Sequence, residues 1–514
     1  MKTTVSAAEL QAQNIELNKR NAELENTVTE LSALVKHLQE LFKLSQQKRF
    51  AASSEKSEGQ FTLFGDIDSA MPEIVVPETE EITYKRRKQK GKREADLSKL
   101  PLEIVEHELP EGERKCPDCN DLMGEIGVTT RDELKIVPAQ VVRVQHRAKT
   151  YKCKVCAETT EKTPIIKARM PKPLISGSIA SASAVAHIMT QKHLMHLPFY
   201  RMEQDFVRQG VLISRQNMAN WTIQVCENWL APIYDKLRHN LLQHKVLHAD
   251  ETTFQVLKEP GKTAQQKSYM WLYRTGGESV CQTVLYEYQP DRSGQRPKTF
   301  LHSWRGFCHT DGYSAYKNLP NVTLVGCWAH TRRKFDEAYK ISKVEHSPAK
   351  IGLDYCNQLF ALEREFSEML PEERFEARMK QSFPIAEAFF AWAKSVNMLP
   401  KLAITRALGY AIRQEMYLMN VFADGRLELS NNRAERSIKP VVLGRKNWLF
   451  ANSVRGAKAS VMAFSIIETA KENGLKPFEY LNFLLETLPD ATTSRLDELL
   501  PWGSAVPDYC RLES

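Results

Sequence analysis

Leucine recurs at a strict seven-residue step, at Leu10, Leu17, Leu24, Leu31 and Leu38, with Asn14, Asn21, Val28, Val35 and Phe42 at the companion positions. This is the narrow seam of a coiled coil, which an isolated helix cannot bury. Valine against leucine favours two parallel strands, and asparagines in the seam fix register. Residues 8–47 are therefore expected to pair the chain with a second copy, making it at least a dimer. Residues 48–100 lose the period and read as a polar, basic linker.

Residues 171–240 turn helical. A small-residue helix over 179–189 precedes a segment ending at Gly210, and Ser214 is a good N-cap for the next helix. Arg215, Gln216 and Asn217 occupy its first turn and Trp221 its apolar side. Helix, glycine turn, helix is the pattern of a DNA-reading helix-turn-helix, with those three residues toward base edges. It is also the pattern of any packed helical hairpin, and both readings stand.

The period changes to two over residues 241–337. Strands are expected at 246–256, 269–274, 279–288, 306–310 and 322–326, with short helices at 298–303 and 313–318 and a long one from Trp328. Three meandering strands followed by helix, strand, helix, strand, helix is the order of an RNase H-like sheet. In that topology the first and fourth strands are neighbours. Residues 338–427 are almost purely helical and too long for a loop, so they read as an insertion. Residues 428–470 return to the core with a helix capped by Asn431 or Asn432 and closed by Pro440, and 471–514 form a helical tail. The fold class is thus multidomain α+β: coiled coil, zinc module (101–170), helical domain, and an α/β core interrupted by helices.

Composition adds little except where charge and cysteine cluster. The 514 residues carry a net charge of +8 and 42% hydrophobic residues, as expected of several modest cores. No apolar run approaches the roughly 18 residues of a membrane span, and residues 1–5 lack a signal-peptide core, so a cytoplasmic location is expected. Lys85, Arg86, Arg87 and Lys88 head a basic run that suits either a solvated linker or a polyanionic partner. Cys116, Cys119, Cys153 and Cys156 form two C-x-x-C knuckles 33 residues apart. Together they make a closed four-thiolate site, the arrangement of structural Zn2+ rather than of redox chemistry. A short hairpin is expected between them, using 141–144 and 149–152.

Two acids stand at the ends of apolar runs in matching settings, His248-Ala249-Asp250 and His309-Thr310-Asp311. A carboxylate at the tip of a buried strand is costly unless something nearby wants negative charge, and a divalent metal is the usual beneficiary. Glu435 is the candidate third acid, although Asp424 and Glu428 lie close in sequence. Three such acids suffice for Mg2+ (or Mn2+), which keeps several waters. Two ions about 3.5–4 Å apart are the apparatus of phosphodiester chemistry. Arg433, Arg436 and Lys439 flank Glu435, and Arg445 and Lys446 follow; all suit phosphate contacts. His248 and His309 read more simply as satisfied strand histidines. Cys327 and His330 form a lone C-x-x-H, which cannot complete a zinc site and reads as a local brace.

Over nearly its whole length the chain resembles transposases of the insertion sequence 66 family. The resemblance rests on Arg114-Lys115-Cys116-Pro117-Asp118-Cys119, His248-Ala249-Asp250-Glu251-Thr252, His309-Thr310-Asp311-Gly312-Tyr313, Gly326-Cys327-Trp328-Ala329-His330, Asn431-Asn432-Arg433-Ala434-Glu435-Arg436, Gly444-Arg445-Lys446-Asn447-Trp448 and Asp497-Glu498-Leu499-Leu500-Pro501-Trp502. It implies a DDE-type enzyme with Asp250, Asp311 and Glu435 as the catalytic, metal-binding triad. It implies double-stranded DNA as partner, both element ends and target, with accessory proteins of the same element as an optional partner, in a bacterial, nucleoid-associated setting. The lysine spacing after the glutamate departs from better-known bacterial signatures, since Lys439 and Lys446 fall four and eleven residues after it. Two other readings remain open: an RNase H-fold nuclease that cuts without joining, and a zinc-containing DNA-binding regulator with an inactive core.

Overall fold

The computed structural model describes residues 140–152, 165–397, 400 and 402–513. The zipper leucines, the basic run from Lys85 to Lys88 and the four C-x-x-C cysteines lie outside the described residues. Strands β1 (Thr150–Lys152) and β2 (Ile165–Lys167) pair antiparallel, with Tyr151 opposite Ile166. The strand expected over 141–144 is not formed: Val141, Val142 and Val144 are exposed and have no ladder partner among the described residues.

Helices α1 (Ala182–His193), α2 (Phe199–Arg208), α3 (Arg215–Val225) and α4 (Ala231–Leu241) follow. The start of α3 is capped twice. Ser214 Oγ accepts from the Asn217 N–H at 3.2 Å, and Glu203 of α2 accepts from the Arg215 N–H at 2.9 Å. Both satisfy donors that a first helical turn leaves without intrahelical partners.

The central sheet then builds from β3 (Val246–Lys258), β4 (Lys267–Thr275) and β5 (Val284–Gln289), an antiparallel meander. β5 starts later than its sequence suggests. The Gln282 side chain instead ties the preceding turn, donating to the carbonyls of Gly276 and Ser279 at 3.1 and 2.6 Å. After α5 (Gln295–Phe300) come β6 (Gly306–His309) and β7 (Val322–Val325). Both run parallel to β3, in the order β5-β4-β3-β6-β7.

Alternation sorts the two faces of the sheet. Leu247, Ala249, Trp271 and Tyr273 share an apolar cluster with α1, α3 and α4. Phe254, Val256, Met270 and Leu272 face the opposite way. Burying one such side chain contributes about 1.5–3 kcal/mol.

Five helices interrupt the core: α6 (Trp328–Ser342), α7 (Pro348–Glu365), α8 (Pro371–Ala377), α9 (Phe383–Ser395) and α10 (Ala403–Met419). All but α8 contribute to a cluster around Trp328, Phe335, Phe389 and Phe390 that reaches Val246 and Val325 of the sheet. The chain re-enters through α11 (Asn432–Trp448), β8 (Phe450–Ser453), α12 (Val454–Glu472) and α13 (Pro477–Thr487). Pro440 does not close α11; the helix runs on to Trp448. Proline removes one donor from the ladder, but Ile438 and Val441 on either side are buried against β4 and β5 and hold the helix together. It ends at Leu449, whose φ is +65°.

β8 was not expected. It pairs parallel with the far end of β3, Gln255 to Lys258, on the edge that β6 uses at Val246 to His248. Between β6 and β8 that edge of β3 lacks a strand partner, and α11 supplies one. Asn431 Nδ2 donates to the Ala249 carbonyl at 2.9 Å, and Arg445 donates to the Thr253 carbonyl. Buried carbonyls need such partners, so the gap in the sheet pins α11 against the middle of β3. No helix among the described residues is long and apolar enough to cross a membrane.

Candidate active site

The β3–β6 ladder ends with His248 opposite His309. Asp250 and Asp311 each lie two residues beyond that last rung. The two histidines are fully buried and stack at 4.2 Å with planes 9° apart. His309 Nε2 accepts from the Glu428 N–H at 3.3 Å, and His248 Nδ1 donates to Asn431 Oδ1 at 3.0 Å. Each thus makes one such bond through a ring nitrogen and leaves the other, His248 Nε2 and His309 Nδ1, without a hydrogen-bond partner.

Asp250 is half-buried, on the even face of β3 that α11 covers. Its Oδ1 accepts from the Glu251 N–H at 2.8 Å. Its carboxyl is held well above the usual range, first by burial and then by the charges of Glu251, Asp311 and Glu435, against which the backbone hydrogen bond works. Asp311 Oδ1 accepts from the Tyr313 N–H at 2.9 Å, and its carbonyl accepts from the Tyr410 hydroxyl at 3.0 Å. Gly312 follows at φ +87°, where a Cβ would lie 2.9 Å from the Gln414 side chain. The turn therefore needs glycine for its backbone, while the Gln414 side-chain end could shift to make space.

Glu435 sits in the first turn of α11. Its Oε2 is 3.5 Å from Arg333 Nη2, and its Oε1 is 3.5 Å from His330 Nε2 and makes no hydrogen bond. Cys327 at the N-terminus of α6, His330 and Glu435 bring a sulfur, a nitrogen and an oxygen within 4.8 Å of one another, and no other such group of metal-ligand side chains occurs among the described residues. Burial opposes a charged His330, but Cys327, hydrogen-bonded to it, and Glu435 prevail and raise it to about 9. The lone brace read from the sequence is thus joined by an acid 105 residues beyond His330.

Glu428 and Asp424, the rival acids, are engaged elsewhere. Glu428 Oε1 accepts from Arg433 Nε at 2.8 Å and from the Gly277 N–H at 3.0 Å, with His248 Nε2 at 3.6 Å. Burial opposes its charge, but His248 and Arg433 outweigh it and hold the carboxyl well below the usual range. Asp424 pairs with Arg426 at 2.7 Å.

Sequence reasoning missed Asn431 as a hub, having seen in it only a cap. Besides His248 and the Ala249 carbonyl, its N–H donates to Cys327 Sγ at 3.2 Å and its carbonyl accepts from the Glu435 N–H at 3.2 Å. One buried residue thus joins β3, the start of α6 and the start of α11. Glu251 was also missed. It points to the opposite face of β3, where Tyr316 donates to it at 2.7 Å and Arg292 pairs with it. The Arg292 guanidinium lies 3.6 Å over the Tyr313 ring, beside an open cavity of about 460 Å³ also lined by Lys298 and Lys317.

The described residues expected to meet DNA differ in exposure and pairing. Arg215, Gln216 and Asn217 are exposed at the start of α3, and Arg436 and Lys446 are exposed on α11. Lys439 is half-buried. Arg433 is paired with Glu428, and Arg445 is tied to Thr252 and Thr253 of β3. Those two brace the core.

The mixed sheet thus carries Asp250 and Asp311 just past the paired ends of two neighbouring strands, and α11 carries Glu435 near enough for its charge to bear on Asp250. The comparisons place the chain more closely. The family model described as Transposase IS66 family matches residues 177–459, more than half the chain, and the IS66 C-terminal element matches 465–502. The zinc-finger binding domain of transposase IS66 matches 113–157, and the model described as Transposase C of IS166 homeodomain matches 37–105. The chain belongs to the IS66 transposase family. Among similar proteins are two from Sinorhizobium fredii (strain NBRC 101917 / NGR234). Uncharacterized protein y4jD is 29% identical, covering 81% of this chain and 84% of its own, and y4qI is 28% identical, covering 78% and 75%.

Proposed function

We propose that this chain is a DDE-type DNA transposase with an RNase H-like core, in which Asp250, Asp311 and Glu435 hold divalent cations of the Mg2+ or Mn2+ class. The observation that carries the reading is the placement of the acids: Asp250 and Asp311 each lie two residues past the last rung of the β3–β6 ladder, and Glu435 lies in the first turn of the helix whose start Asn431 ties to β3. Burial and the charges of Glu251, Asp311 and Glu435 all oppose the charge of Asp250. Acids brought together at that cost, on β3, just past β6 and on α11, fit a centre whose balancing charge is a bound cation. Bound ions would stabilise the attacking and leaving oxygens of phosphoryl transfer.

The chain's own residues do the rest. Asp250 and Asp311 are set by the shared end of the β3–β6 ladder, and Asn431 sets Glu435 against them. In the first reaction a water oxygen attacks phosphorus at the element end, and the bond to the 3′ oxygen breaks to free a 3′-hydroxyl. In the second that hydroxyl attacks a target phosphodiester, one P–O bond forming as another breaks. Lys298 and Lys317 in the cavity beside Arg292 and Tyr313, with Arg436 and Lys446 on α11, are suited to the phosphates of the strands. Arg215, Gln216 and Asn217 are suited to base edges, as Lys85 to Lys88 are to a nearby backbone. Cys116, Cys119, Cys153 and Cys156 hold structural Zn2+, and the leucine seam at 10, 17, 24, 31 and 38 pairs two chains so that two ends are held at once.

A strand-transfer assay with end-bearing DNA and Mg2+ tests the reading. Joined product that disappears in Asp250→Ala is the expected result. Cleavage without joining would instead favour a simple nuclease, and activity unchanged by Asp250→Ala or Asp311→Ala would remove the site assignment.

A further inference from the structure

We propose that Cys327, His330 and Glu435 form a binding site for a thiophilic divalent cation of the zinc class, adjoining the Asp250–Asp311 carboxylates but different in ligand chemistry. Three observations converge. The three donor atoms come from two elements, the N-terminus of α6 and the first turn of α11, yet lie within 4.8 Å of one another. Glu435 Oε1, the carboxylate oxygen that faces His330 Nε2, is buried and has no hydrogen-bond partner. A buried carboxylate oxygen left in this way is commonly explained by an ion or water. The 3.5 Å from His330 Nε2 to Glu435 Oε1 is long for a charge-assisted hydrogen bond but leaves room for an ion to draw both in.

The third observation is the sulfur. Cys327 occupies the N-cap position of the fifteen-residue helix α6, and its Sγ accepts the Asn431 N–H at 3.2 Å. Sulfur is a soft ligand of the kind that suits the zinc class. Arg333, the competing cation, addresses the other carboxylate oxygen, Oε2. One thiolate, one imidazole and one carboxylate with a fourth position open is a zinc-type set, whereas hard Mg2+ avoids sulfur and prefers the all-oxygen neighbourhood of Asp250 and Asp311. The inference rests on the transposase reading only for what such an ion does to cleavage, namely orienting Glu435; binding itself does not depend on it.

The test is metal stoichiometry of the full-length chain, dialysed against Zn2+ and counted by elemental mass spectrometry. The family's zinc finger and the new site together predict two zinc ions per wild-type chain, falling to one in Cys327→Ser and in His330→Ala. Cys116→Ser is expected to retain one, bound through Cys327. His330→Ala keeps the test decisive if Cys327→Ser fails to fold. One zinc per wild-type chain, unaffected by His330→Ala and lost with Cys116→Ser, would overturn the site. Two zinc ions that fall to one as expected, alongside strand transfer unchanged in Asp250→Ala, would leave the metal site standing and remove the catalytic reading instead.

Discussion

Glu428 and Glu435 stand seven residues apart, on either side of the entry into α11, and the fold treats them oppositely. Glu428 is closed by an arginine at 2.8 Å, a backbone N–H at 3.0 Å and a buried histidine. Glu435 has only two contacts at 3.5 Å and one buried oxygen without a partner, and its charge bears on Asp250. A carboxylate satisfied by close donors braces the fold. A carboxylate left loosely partnered is available to a ligand that the protein itself does not supply.

The largest expected effect is on chemistry. Glu435→Gln should lower strand cleavage by at least on the order of 10²–10³-fold, the scale of losing one charge-stabilising group. It should leave DNA-end binding in place, and its effect on the thermal midpoint should be smaller than that of Glu428→Gln, because its two ion-pair contacts are long, at 3.5 Å. Glu428→Gln should do the reverse. Removing one partner of a partly buried ion pair is expected to cost about 2–3 kcal/mol, below the roughly 3–5 kcal/mol of a fully buried one. Chemical denaturation measures this, while the cleavage rate of the folded fraction stays much nearer wild type.

Asn431→Ala lies between these extremes. It frees the Ala249 carbonyl and His248 and loosens the start of α11, so stability should fall by about 1–3 kcal/mol. Cleavage should fall about 10–100-fold, as when a residue that orients a metal ligand is lost. Half-maximal Mn2+ should move upward while end binding is unchanged, a shift that general destabilisation would not produce.

The smallest effect is a slope with pH. Asp250 has a folded-state pKa above its unfolded value near 3.8, so the folded state binds the extra proton. Its contribution to stability is fully present below that unfolded value and is lost as pH rises through the folded pKa. Glu428 is depressed below 4.5, so its contribution is present above that value and is lost as pH falls through the lower folded pKa. In metal-free buffer, the wild type should lose stability relative to Asp250→Asn as pH rises from acid toward neutral. The difference between wild type and Glu428→Gln should stay flat over the upper part of that range and shrink only under acid. Added Mg2+ should flatten the Asp250 slope.

Much of this contrast was open to sequence reading because it lies in local patterns. The alternation around Asp250 and Asp311 marks two strands, and the meander order makes them neighbours, as the His248–His309 rung records. What was hidden depends on long-range closure. β8 is four residues without a clear period, recognisable only by its place beside β3. Pro440 reads as a helix stop, but packing of Ile438 and Val441 overrides it. Arg433 and Arg445 look like phosphate ligands in a basic string, yet their partners, Glu428 and the open edge of β3, are set by the fold. Asn431 shows one cap signal in sequence and four partners in space. The lone Cys327–His330 pair gains its acid only when α11 folds back after the insertion.

The most direct test compares Glu435→Gln and Glu428→Gln side by side, in one Mg2+-dependent cleavage and joining assay on end-bearing DNA. Glu435→Gln should bind ends and yield neither cut nor joined product, and Glu428→Gln should yield both at a temperature where it is folded. Wild-type product from Glu435→Gln, with loss confined to Glu428→Gln, would contradict the account.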